Sequence, residues 1–235
     1  MSDRCGADVV TLSTHAPSTM VATGRVVREA SRPRMNEAMN KVANAAALGY
    51  GAFALTLWLN SMTPAGWFDQ PWNNTLLMLL SVMLGGGVLA IAGILQWRRG
   101  NSLDTLLFLA FAAYWGINAL YQHSLADGDH VTTTAGFLGW YYMVWAFLVF
   151  CAWIAACRDG VARMLFTAGL FLALFAAALS DWAHIEALEV LGGYLGLVTA
   201  VVGVYIAAAE VVNEIHGHAV LPLGETNPGG GSVPP

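Results

Sequence analysis

The chain has 235 residues, 57% of them hydrophobic and 11% charged, with a formal net charge of −5 and a mean hydropathy of +0.58. Soluble domains carry about a quarter charged residues, so this composition excludes an ordinary soluble domain. Ten Lys/Arg against fifteen Asp/Glu, unevenly placed, argue against a nucleic-acid partner.

In chain order, residues 1–41 are polar and carry Arg25, Arg28, Arg32, Arg34 and Lys41. They read as a retained cytoplasmic tail, mostly disordered, with a short helix near 35–41, and not as a cleaved leader. Six apolar stretches follow, at 42–59, 75–96, 103–125, 135–156, 162–180 and 188–212. About 20 helical residues at roughly 1.5 Å each cross a hydrocarbon core of about 30 Å. Turn signals separate the stretches: Pro64 and Gly66, Gly100-Asn101, Asp127-Gly128, Asp159-Gly160 and Ser180-Asp181. The sixth stretch is the clearest, because residues 191–209 carry no charge. It closes on Glu210, Asn213, Glu214, His216 and His218. Residues 226–235 are Gly/Pro-rich and read as flexible.

The expected fold is therefore all-α: a polytopic membrane protein with six transmembrane helices. Its parts are a tail at 1–41, a six-helix domain at 42–212 and a cytoplasmic tail at 213–235. Every Lys and Arg lies in the N-terminal tail, at Arg98–Arg99, or at Arg158 and Arg163. The positive-inside rule then places both termini in the cytoplasm. Asp69, Asp127, Asp129, Asp181, Glu186 and Glu189 fall outside, and Trp58, Trp67, Trp72, Trp97 and Trp182 mark the interfaces. Helical spans, unlike barrels, indicate the inner or plasma membrane, multi-pass.

Two stripes of small residues invite close helix contact: Gly85–Gly87 with Ala90 and Gly93, and Gly192 and Gly196 with Ala200 and Gly203. Packing within one bundle and an oligomer face are both open readings.

No Asp, Glu, Lys, Arg or His lies near the centre of any stretch. Ion-coupled carriers usually place such groups at mid-depth. The only lysine, Lys41, precedes the first stretch, and His123, His130, His184, His216 and His218 sit at span ends. Cys5, Cys151 and Cys157 have no metal spacing, and Cys151 and Cys157 read as free thiols. No catalytic constellation is visible, so no enzyme, cofactor or metal is expected. What remains is uncharged polar material: Asn44, Tyr50, Tyr114, Asn118, Tyr141, Tyr142, Thr199 and Tyr205. In lipid such groups need partners. They serve as interhelical hydrogen bonds or, together, line a narrow pathway for a small solute.

Residues 210–225 read EVVNEIHGHAVLPLGE, residues 43–50 read ANAAALGY, and residues 85–102 read GGGVLAIAGILQWRRGNS. Together these closely resemble the acetate uptake transporter family, the group of the bacterial succinate–acetate permeases and their fungal relatives. The resemblance covers about 43–225. It implies a six-helix protomer, a hexamer, and passage of acetate and similar monocarboxylates, with succinate in some members. It also implies a hydrophobic constriction at Phe53, Phe111 and either Phe171 or Leu170, depending on a one-residue insertion near 158–161. Polar contacts would come from Asn44, Tyr50, Tyr114 and Asn118. Glu210, Asn213 and Glu214 carry the terminal signature. Departures are Ala45 and Ala47 where the family has prolines, and Phe111 where it has a tyrosine.

Glu210, Asn213 and Glu214 read either as part of the inner mouth or a proton-accepting group, or as a solvated helix end forming salt bridges to Arg98 or Arg99. Asn44 reads equally as an ordinary N-cap or as a solute contact. For function, a channel or transporter for acetate and similar monocarboxylates, passive or proton-linked, stands first. A channel for a neutral solute such as ammonia or urea is the alternative. A sealed, structural membrane protein is the third reading.

Overall fold

The structure, a computed structural model, describes residues 44–68, 75–126 and 134–224. These belong to one compact unit, Asn44–Pro235. The N-terminal tail with its expected helix, Cys5, Asp69, Trp72, Asp127, Asp129, His130, Glu225 and the Gly/Pro-rich end lie outside the described residues.

A helix forms over each of the six apolar stretches: α1 (Ala45–Ser61), α2 (Thr75–Arg99), α3 (Ser102–Ala126), α4 (Ala135–Ala156), α5 (Val161–Ala183) and α6 (Glu186–His216). Five of them, α2 to α6, are long and apolar enough to cross a membrane. The first, α1, has 17 residues.

Local chemistry explains the ends. Asn44 caps α1, its side chain accepting from Ala46 N–H at 3.1 Å. Gly100, at φ 78°, ends α2 in the left-handed conformation that a glycine adopts without a Cβ clash. Asn101 then opens α3: its Oδ1 accepts from Asp104 N–H at 3.1 Å, and its amide donates back to the Asp104 carboxylate at 2.8 Å. This is a reciprocal cap in the manner of the capping box. Thr134 caps α4. Gly217, at φ 68°, ends α6. Within α2, Ser81–Val88 winds as a π-helix over the run Gly85–Gly87.

The core lies between α1, α3, α5 and α6. Tyr50, Phe53, Ala54, Phe108, Phe166, Ala200 and Ile206 are all fully buried there. Glycines let the backbones approach. A Cβ at Gly49 would run into the Phe108 ring, and one at Gly203 would sit 2.9 Å from both Ala54 and Phe166.

Members of both small-residue stripes pack inside the bundle, while Gly87 is exposed. Gly85 lies against Trp115 of α3 and Thr56 of α1, and Gly93 against Leu109 of α3. Gly192 lies against α5 at Ala173, and Gly196 against Ser61 of α1. Cys151 and Cys157 are free and exposed.

Candidate functional site

Two layers stack along the bundle, from its middle to one end. One is aromatic and the other polar.

The aromatic layer forms because α1 carries Tyr50 and Phe53 one turn apart, α3 carries Phe108 and Phe111 one turn apart, and α5 carries Phe166 and Leu170 one turn apart. Residues three or four apart share a helix face. Phe53 and Phe111 meet with ring centroids 4.7 Å apart. Phe166 stands edge-on to Phe53 at 5.2 Å and to Tyr50 at 5.3 Å. Phe108 stands edge-on to Tyr50 at 5.1 Å. Leu170 is buried in the same core. Phe171, one residue on, turns elsewhere: its ring neighbours are Phe150 at 5.5 Å and Phe175 at 5.7 Å. Beyond Phe111 the stack continues through Tyr114, Trp145 and Tyr141. Asn118 donates to Tyr114 C=O at 3.0 Å and to the Tyr141 hydroxyl at 3.4 Å.

The polar layer lies at the end of the bundle that bears the arginines. Asn44 donates to Glu210 Oε2 at 2.6 Å and accepts from Arg99 at 2.8 Å. Its backbone N–H donates to Glu214 at 3.2 Å. Asn44 is thus both an N-cap and the tie between the starts and ends of α1, α2 and α6. Arg163, in the first turn of α5, pairs with Glu210 at 2.7 Å and with Asp159 at 2.7 Å. Arg163 of α5 thus supplies a described ion pair of Glu210, and Arg99 reaches the same cluster through Asn44. The reason is register: α5 and α6 pack side by side, which brings their arginine-bearing ends together. The Arg163 guanidinium also lies over the Tyr50 ring, 5.9 Å from its centre.

Asp104 was not singled out by the sequence reading. It is fully buried. It accepts from the Tyr50 hydroxyl at 2.8 Å, from Asn101 at 2.8 Å and from Gln96 at 3.3 Å. A carboxylate two residues inside an apolar run was the available signal, since ionisable groups inside spans are costly and tend to be functional. Phe108 and Phe166 were missed too, because phenylalanine in an apolar run carries no signal of its own.

Asn213 plays a structural part. Its side chain donates to Leu221 C=O at 2.9 Å and accepts from the N–H groups of Val220 and Leu221 at 2.7 and 2.9 Å. Tyr205 donates to Pro222 C=O at 2.7 Å. The chain so folded offers Leu223 and Gly224 carbonyls to the first N–H groups of α5, at Ala162 and Val161. Helix N-termini need such acceptors. No group of residues suited to holding a metal occurs among the described residues.

Against known proteins, residues 29–225 match the GPR1/FUN34/yaaH family, and the chain belongs to that family. It is 27% identical over 192 residues to the succinate-acetate/proton symporter SatP of Escherichia coli strain K12, covering 80% of this chain and 98% of that protein. It is 23% identical over 184 residues to the ammonia transport outward protein 3 of Saccharomyces cerevisiae, covering 74% of this chain and 64% of that one. The solved structure of the bacterial acetate channel SatP superposes with a TM-score of 0.74 at 24% identity, covering 78% of this chain and all of that one. That likeness shows the fold. With its five long apolar helices, the chain is a multi-pass membrane protein.

Proposed function

We propose that this member of the GPR1/FUN34/yaaH family passes acetate and similar small monocarboxylates across a cell membrane, by a pathway inside each protomer. The observation that carries the reading is the contact of Phe53 with Phe111, buried between α1, α3 and α5. It supports a hydrophobic constriction of Phe53, Phe111 and Leu170, with Phe166 behind them. Such constrictions select by size and by dewetting. The face shared by Phe166 and Leu170, and the turning away of Phe171, favour Leu170 as the third member. Tyr114 and Asn118 continue the pathway on one side and Tyr50 and Asn44 on the other. Transport, not catalysis, is what the chain does. The likeness to a succinate-acetate symporter makes acetate the first substrate to test and succinate the second.

The remaining features follow the same reading. At about 26 Å, α1 is somewhat short for a core of about 30 Å. It still runs alongside α6, from Asn44 against Glu210 and Glu214 to Ser61 against Gly196, and it is the sixth span. The arginine-bearing end faces the cytoplasm with both termini. Domain limits are 1–41, 42–212 and 213–235, the membrane is the inner or plasma membrane, and the assembly is a hexamer.

Phe53, Phe111, Phe166 and Leu170 offer no donor to an anion. Passage is therefore of the neutral acid, or of an anion together with a proton. Neutral acid is roughly a hundredfold more abundant at about pH 5.5 than at about pH 7.5, because two units separate them and both lie above the range near 4–5 where a carboxyl titrates. The test is acetate uptake into proteoliposomes at those two pH values, with wild type and Phe53→Ala. Saturable uptake, larger at the lower pH and changed by Phe53→Ala, supports the reading. Uptake equal to that of empty vesicles at both pH values sinks it and leaves a neutral solute such as ammonia, or a sealed pore.

A further inference from the structure

The pathway as read above has a single constriction. The contacts of Tyr50 give it a second. Tyr50 is fully buried, and its ring is held edge-on by Phe108 and Phe166 and faced by the Arg163 guanidinium. Phe166 touches both Tyr50 and Phe53, so the two α1 aromatics close successive levels of one stack. The hydroxyl of Tyr50 donates to Asp104 Oδ1, across from α3. A phenol buried at membrane depth must find an acceptor, and Asp104 is the one it finds.

Local capping does not account for that bond. Asn101 engages the other carboxylate oxygen, Oδ2, as does Gln96 from α2. Oδ1 is left for Tyr50, 54 positions away in the chain. The ring cannot swing toward α3, because Phe108 is seated on Gly49, where no Cβ keeps it off the α1 backbone. Its loosest neighbour is Arg163, so its way out is toward the arginine-bearing end. The hydroxyl bond closes that way.

We propose that Asp104 is a positioning residue that holds Tyr50 across the pathway, making a second constriction in series with Phe53 and Phe111. This rests on the pathway read above. Asp104 touches no solute. It acts by fixing the Tyr50 ring, and the closed ring limits both the rate and the size of what passes.

The test is proteoliposome flux of acetate and of the bulkier benzoate for Tyr50→Phe, Asp104→Ala, Asp104→Asn and the double variant Tyr50→Phe/Asp104→Ala. Phe53→Ala is run beside them. Freed of this hydrogen bond, the ring opens, and acetate flux rises by about tenfold in Tyr50→Phe and in Asp104→Ala. Benzoate enters with it. The double variant equals either single one, because both remove the same bond. Asp104→Asn keeps a carbonyl acceptor for the hydroxyl and restores the closed behaviour. Tyr50→Phe keeps the ring and its packing, so it carries the test even where Asp104→Ala fails to assemble.

Wild-type selectivity and rate in both Tyr50→Phe and Asp104→Ala overturn the proposal, provided that Phe53→Ala changes flux. An unchanged Phe53→Ala overturns the pathway itself. Additive effects in the double variant, or an Asp104→Asn as leaky as Asp104→Ala, overturn the hydrogen-bonded hold.

Discussion

Arg163 and Glu210 lie 47 positions apart in sequence and 2.7 Å apart in space, joining the first turn of α5 to the last third of α6. Their side chains are 12% and 10% exposed. Glu210→Gln takes away the interhelical partner while Asp159 still holds Arg163 at 2.7 Å, so the cost is that of a hydrogen bond between charged groups, about 1.5–3 kcal/mol. Glu210→Gln should therefore lower the melting temperature in detergent clearly. The double variant Arg163→Met/Glu210→Leu should lose less than the two single losses added together. A Glu210→Gln protein that melts like wild type would show that the pair contributes nothing.

Gly49 matters for a steric reason. Alanine there places a Cβ inside the space of the Phe108 ring. Overpacking of this kind costs about 1–3 kcal/mol. Gly49→Ala should be less stable and should disturb flux through the displaced ring. Gly116→Ala is the control, since nothing lies within 4 Å of its Cβ position. Stability that is equal or higher is expected there, because alanine favours the helix by about 1 kcal/mol. Equal melting of both variants would refute the packing argument.

The two neighbours Leu170 and Phe171 should behave differently. Leu170→Ala opens space beside Phe53 and Phe111 and should raise acetate flux. Phe171→Ala removes a ring that packs on Phe150 and Phe175. Its effect should fall on stability, with a loss of about 3 kcal/mol or less at this partly buried site. The comparison is made by flux and melting on the same preparations. The reverse pattern would move the constriction to Phe171.

Asn213 makes three hydrogen bonds to the chain that caps α5. Asn213→Ala should release residues 217–224 and leave the N–H groups of Val161 and Ala162 without their carbonyl acceptors. Limited proteolysis near 217–224 should become faster, with a loss of about 1 kcal/mol for bonds exchanged with water at this largely exposed site. Proteolysis at the wild-type rate would assign the capping to other contacts.

Much of this protein was legible in its residues alone. The six apolar stretches coincide with the six helices to within a few residues, and 135–156 coincides in full with α4. That follows from a local rule: in lipid the backbone must satisfy itself, so a long apolar run is a helix whatever surrounds it. The terminal EVVNEIHGHAVLPLGE signature likewise led to the family that residues 29–225 match.

The partners were decided only by the tertiary structure. Helices such as α4 are apolar on nearly every side, so no periodic pattern says which face turns inward. Whether Leu170 or Phe171 is the one wholly buried in the core is a matter of rotation about α5. That Glu210 meets Arg163 depends on how far α5 and α6 slide past each other. The bond from Tyr50 to Asp104 needs α1 and α3 pressed together at Gly49. Each depends on two helices at once. A single stretch of sequence determines that a helix forms, and only the packing of helices against one another determines what its side chains touch.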